Sequence, residues 1–234
     1  MIDLITVMWK EIAEVFGSLR SLRIFAISIL VMGILPAFTF AHKSSSPMVT
    51  NIRVIYVLFA AAIVVAQTAP DMVLHERIGH TLDYLLTTRL PDHAIFGAKV
   101  LVAFAVGYLA AMLALVIQLV SASLLGGSGW QWLFLASPIG RVVAFGITAD
   151  LCLYVAVIGT FVALRIGEQR AAYMVTIFAV GLLTVPFLAG WFHFSVTMQW
   201  MTRVAIVFGV FAIALGFLGL KLFRRDMLVL YLQE

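Results

Sequence analysis

Charge is what this chain has least of. Of its 234 residues only 11% are Asp, Glu, Lys or Arg, under half the share of an ordinary soluble domain. Hydrophobic residues make up 64%, and the mean hydropathy is +1.12. A soluble fold cannot hide that much apolar surface, so the composition excludes one and points to an integral membrane protein. Cysteine is nearly absent. The single Cys152 rules out an intrachain disulfide framework and any multi-cysteine metal site, and its apolar surroundings mark it as a small buried hydrophobe. Glycine-lysine pairs are also missing. The four lysines are Lys10, Lys43, Lys99 and Lys221, and none directly follows a glycine. The chain therefore has no phosphate-binding loop of the G-x-x-x-x-G-K-[ST] type and no nucleotide hydrolase of that class. A cleavable leader is not expected, because Asp3, Glu11 and Glu14 stand where one would be basic and then purely apolar.

What is present is a series of long apolar runs. Crossing about 30 Å of hydrocarbon takes about 20 mostly apolar residues in a helix. Six runs qualify: 24–40, 53–74, 100–125, 139–164, 171–191 and 204–222. The fold class expected is all-α and polytopic, one transmembrane domain over 1–234. Six spans put both termini on one side. Lys10, Arg20, Arg23, Arg77, Arg89, Lys99, Arg165, Arg170, Lys221, Arg224 and Arg225 flank the spans on that side, against Lys43, Arg53, Arg141 and Arg203 on the other. Lysine and arginine accumulate on the cytoplasmic face, so both termini are expected there, in a prokaryotic inner or plasma membrane. The net charge of +4 is explained by this asymmetry, without a nucleic-acid partner.

Residues 1–23 form a separate element. Ile2, Ile5, Met8, Trp9, Ile12, Val15, Phe16 and Leu19 recur at helical spacing, with Lys10, Glu11 and Glu14 assigned to the opposite side. The spacing predicts an amphipathic helix lying in the cytoplasmic interface, in contact with membrane lipid. Trp130 and Trp132, after the Gly126–Gly129 turn, and the aromatic stretch 191–203 are expected to form interfacial or re-entrant helices on the outer face.

One polar island breaks the apolar pattern. Residues 71–99 carry Asp71, Glu76, Arg77, Asp83, Arg89, Asp92 and Lys99. A charged stretch between two spans lies at or beyond the membrane surface, where a soluble protein could grip it. Gly79 allows a turn and Thr81 offers an N-cap. Leu82, Leu85 and Leu86 follow at helical spacing, and Pro91 ends the helix. The spacing predicts a short amphipathic helix within a cytoplasmic segment 75–99.

Here the chain resembles the ABC-2 type permeases, the membrane subunits of a class of ABC exporters. The resemblance is carried by Glu76-Arg77, Gly79, Thr81-Leu82, Leu85-Leu86, Thr87-Thr88, Pro91 and Gly97-Ala98-Lys99. His80 between Gly79 and Thr81, and Arg89-Leu90 before Pro91, depart from the family pattern. The helix containing Trp9-Lys10-Glu11, six spans, and the basic aromatic tail Leu222-Phe223-Arg224-Arg225-Asp226 extend the likeness over the chain. The resemblance implies a transporter subunit rather than an enzyme, with no cofactor of its own. ATP and Mg would be bound by a separate cytoplasmic ABC ATPase. A second permease copy or a sister permease would complete the dimer. Glu76, Arg77, Gly79, Thr81, Leu82, Leu85, Leu86 and Thr87 would form the ATPase-coupling element.

Other candidates carry less. His75-Glu76-x-x-x-His80 is one residue too long for the zinc-protease motif. Positions i and i+5 on a helix point about 140° apart, so no metal site is expected. Asp150 stands alone inside the fourth span, where a charge costs about 2.5–3.5 kcal/mol. It marks a translocation path or interface, or else bonds a nearby threonine or pairs with Arg141. Asp71 reads as a helix-end residue. Pro36, Pro138 and Pro186 kink or bound spans. Gly181, Gly190, Gly209, Gly216 and Gly219 thin the last two spans and make them candidates for a dimer seam. Sparse interior charge suits an amphipathic or lipid-like cargo. The alternatives are a haem-exporter-type membrane subunit of cytochrome c maturation, an intramembrane enzyme, or a non-transporting scaffold.

Overall fold

The computed structural model describes residues 2–17, 19–40, 47–78, 92–124, 138–166, 168–193 and 198–222. Every element among them is helical. In chain order they are α1 (Ile2–Gly17), α2 (Leu19–Phe40), α3 (Pro47–Ile78), α4 (Asp92–Leu124), α5, α6 (Gln169–His193) and α7 (Met198–Leu222). α5 begins as Pro138–Arg141, passes through a π-helical stretch Val142–Ile147 and continues as Thr148–Arg165.

Among the described residues, four helices are long and apolar enough to cross a membrane, over Tyr56–Arg77, Ala94–Ser121, Val142–Arg165 and Thr202–Gly219. Such helices are compatible with an integral membrane protein. A shorter apolar stretch covers Phe25–Leu35.

α3 is the central helix and packs on α5, α4 and α2. The contact surfaces are built from small side chains. Ala60, Ala61, Val64 and Ala69 of α3 meet Ala103, Ala110 and Ala114 of α4 and Val155 and Ala156 of α5 in one buried cluster. Small residues let helix backbones approach closely, which is how membrane helices gain contact without a hydrophobic drive between them. Gly159 of α5 shows how close the approach is. A Cβ there would lie 2.9 Å from the Ala69 Cβ and 3.3 Å from the Pro70 Cδ. Pro70 sits within α3, and its missing N–H is tolerated where a neighbouring helix covers the site.

Three sequence expectations change. First, the apolar stripe of α1 is not simply turned to the membrane. Val7 and Glu11 are buried, while Ile5 and Trp9 are 63% and 74% exposed. Glu11 lies among Met8, Ile12 and Val15, which pack on the core. Glu14, one turn on, is exposed. Second, the glycines of α7 are occupied within the chain. Gly209 abuts Asp150, Gly219 abuts Phe96 and Gly216 faces Val157. A dimer seam along those three is replaced by packing on α5 and α4, and Gly181 has nothing within 4 Å. Gly190 is outside the described side chains. Third, the stretch 191–203 is not a separate helix. Its ends belong to α6 and α7, leaving only 194–197 outside the described residues. Trp130 and Trp132 also lie outside them. At the island, α3 runs on to Ile78 and α4 begins at Asp92, so residues 75–78 and 92–99 are helical extensions of the flanking spans.

Candidate functional site

Where α1, the end of α3 and the start of α4 meet, five charged side chains converge. Glu76 comes from the last turns of α3, Lys99 from the first turns of α4, and Lys10, Glu11 and Glu14 from the middle of α1. Glu11, Glu76 and Lys99 are 0%, 1% and 3% exposed. Buried charges survive only when paired and hydrogen-bonded, and these are. The Lys99 Nζ lies 2.7 Å from the Glu11 Oε1 and 2.8 Å from the Glu76 Oε2. It also donates to the Met72 carbonyl at 3.3 Å. The ammonium donates hydrogen bonds to Glu11 and Met72 and pairs with Glu76 by charge. The Lys10 Nζ donates to the Glu76 Oε1 at 2.5 Å and lies 3.4 Å from Glu14.

The two carboxylates are not equivalent. Glu76 has an ammonium on each oxygen. Glu11 has Lys99 on Oε1, and its buried Oε2 has no hydrogen-bond partner among the described residues. Burial therefore pushes the Glu11 carboxyl above its ordinary range, Lys99 pulls it back, and the Glu76 charge raises it further. Lys10 is half-exposed. Burial works against its charge, but the Glu76 hydrogen bond and the charges of Glu76, Glu14 and Glu11 hold it above the usual lysine value.

Oxygens of Glu11, Glu14 and Glu76 lie within 4.8 Å of one another, a spacing that three carboxylates around a cation would share. Here Lys10 and Lys99 already neutralise that charge. The donor set fits a salt-bridge cluster and gives no reason to add a metal.

Of the coupling residues read from the sequence, Glu76 is in this cluster and Arg77 is half-buried beside it at the end of α3. Gly79, Thr81, Leu82, Leu85, Leu86 and Thr87 lie outside the described residues. The cluster brings in Lys10, Glu11 and Lys99, which sequence reasoning did not assign to a site. The signal was available for Glu11. It stands three residues after Met8 and four before Val15, on the side of α1 that packs inward.

Asp150 lies elsewhere, on α5 just after the π-helical stretch. It is half-buried against α7, with Oδ1 3.0 Å from where a Gly209 Cβ would stand. Neither partner expected from the sequence is there. Arg141 is exposed, and among the described residues no hydrogen bond or ion pair reaches Asp150. Thr148, two residues earlier, donates instead to the Val143 carbonyl at 3.0 Å. Asp71 accepts a hydrogen bond from the Gln169 side chain, which ties α3 to the start of α6.

Compared with known proteins, the chain matches no family model and no curated sequence.

Proposed function

We propose that this chain is the membrane subunit of an ABC-2 type exporter, driven by a separate cytoplasmic ABC ATPase. The observation that carries the reading is the mounting of the island. Residues 79–91 follow α3 and precede α4 in sequence, and Glu76 and Lys99 of those two helices share a buried ion pair at 2.8 Å. A segment fixed at both ends by such a pair can pass a push from a bound domain to two spans rather than absorb it. The residues of the island that resemble the ABC-2 pattern supply the grip: Gly79, Thr81, Leu82, Leu85, Leu86 and Thr87 between Glu76-Arg77 and Lys99. α2 and α6, of 22 and 25 residues, would complete six spans, with both termini cytoplasmic.

In this reading the chain catalyses nothing itself. The partner ATPase binds ATP and Mg and supplies the energy. ATP-driven closure of two ATPases presses on the island, and the two permease chains shift to open a path outward. The exposed apolar surface of α6 and α7 is where a second copy, a sister permease or lipid would lie. Phe178, Leu182, Val207 and Phe217 are 73%, 64%, 65% and 63% exposed. Asp150, with no counter-charge among the described residues, is the polar group available to a path or an interface. The cargo class that fits so apolar a bundle is amphipathic or lipid-like.

The test is ATP hydrolysis by a candidate partner ABC ATPase, in proteoliposomes with and without the chain. The reading expects the chain to change the ATPase rate and ATP to drive outward movement of a fluorescent phospholipid probe. An ATPase rate indifferent to the chain would overturn it.

A further inference from the structure

The buried charges link three elements, and one of them is not part of the island. Lys99 bridges Glu11 of α1 and Glu76 of α3 from its own place on α4, at 2.7 and 2.8 Å. Lys10 adds a second tie from α1 to Glu76, at 2.5 Å. Replacing this corner by apolar packing would hold the helices together at least as well, because ion pairs in low dielectric seldom exceed their desolvation cost. What such pairs do supply is one geometry. An ammonium paired with two buried carboxylates accepts no slide of α1 along α4, since any slide leaves a buried carboxylate without its partner.

We infer that Glu11 and Lys99 are positioning residues that lock α1 to both feet of the island, so that α1, the end of α3 and the start of α4 move as one body. The opposite side of α1 shows why this matters. Ile5 and Trp9 stand 63% and 74% exposed on a helix whose other side is pinned to the protein. A displacement of the island then reaches the outward-facing apolar side of α1 and is not confined to α3 and α4. The lock itself stands on the ion pairs; its consequence for coupling rests on the exporter reading.

The experiment uses the full chain in lipid nanodiscs. Cys152→Ala removes the native thiol, and spin labels are placed at the exposed positions Ala13→Cys on α1 and Leu101→Cys on α4. The labelled parent is expected to give one narrow distance distribution. Glu11→Leu removes the buried tie of α1 to Lys99 and leaves both Lys99 and Lys10 on Glu76. It is expected to broaden the distribution into a second, longer population. Glu11→Asp keeps the carboxylate and is expected to restore the narrow one. A purely structural contact would show a lower melting temperature with the distance unchanged. A distribution in Glu11→Leu as narrow as the parent's overturns the lock. Adding the partner ATPase separates the two proposals. Lock and coupling together predict that Glu11→Leu retains ATPase binding but loses the chain's effect on the hydrolysis rate. If the parent itself leaves that rate unchanged, the exporter reading fails while the distance result still decides the lock.

Discussion

At the corner of α1, α3 and α4, every buried charge has an opposite charge within 2.8 Å. At Asp150, some way into α5, a half-buried carboxylate meets a glycine and no counter-charge among the described residues. The two regions are made of the same kind of residue in the same kind of apolar surroundings. What differs is how each charge is met. At the corner, Lys99 and Lys10 tie residues of three helices together by charge. A carboxylate without such ties fixes nothing by charge. Gly209 is the space that lets it sit there.

The largest expected effect breaks the first region. Lys99→Met leaves Glu11 and Glu76 facing each other with only Lys10 nearby, and stranding buried partners costs about 3–5 kcal/mol. Thermal unfolding in nanodiscs should show it, and the triple change Lys99→Met, Glu11→Leu, Glu76→Leu should recover most of the loss. A single variant as stable as the parent would mean the corner is solvated. In the second region, Gly209→Val places a side chain against the Asp150 carboxylate, now 3.0 Å from the Cβ position. Crowding of this kind costs about 1–3 kcal/mol. Asp150→Ala in the same chain should relieve it, and a double-mutant cycle with no coupling would show that the two side chains do not meet.

Acidity sharpens the comparison. Glu11 is raised above its ordinary value of 4.5, by burial first. A carboxyl raised on folding contributes stability that is complete below 4.5 and is lost as the pH climbs through the folded value. Wild type should therefore fall in stability relative to Glu11→Gln between acid and neutral pH. Parallel denaturation curves across that range would contradict the burial of Glu11. The smallest effect is at the rim. Lys10 is 40% exposed and Glu76 keeps Lys99, so Lys10→Met should cost about 0.2–1 kcal/mol, and a salt titration should erase it.

Much of the fold was legible because long apolar runs leave a chain few choices. The helices α3, α4, α5 and α7 lie over expected spans. What periodicity could not give was the rotation of α1. Its apolar stripe is wide, and Glu11 sits at the stripe's edge, roughly 60° from Met8. Grouping Lys10, Glu11 and Glu14 on one side of α1 did not show that Glu11 is buried there, because the lysine that pairs with it, Lys99, is distant in sequence. The same blindness to distant partners misplaced the α7 glycines. Small residues announce close approach but not by what, and here Asp150 and Phe96 of the same chain fill the space at Gly209 and Gly219. For Asp150 the sequence offered a threonine or Arg141 as partner, and helix packing supplied neither. The island's charges and leucines are local in sequence, and so was the reading made from them. Its foundation was not, because that needs residues 11, 76 and 99 brought together.

The most direct test is capture of a candidate partner ABC ATPase, comparing wild type with Leu85→Asp/Leu86→Asp at equal yields of folded membrane protein. The account expects stoichiometric ATPase on the wild type and loss of it on the variant. Equal capture by both, or none by the wild type, would contradict the island's role as the coupling element and with it the exporter reading.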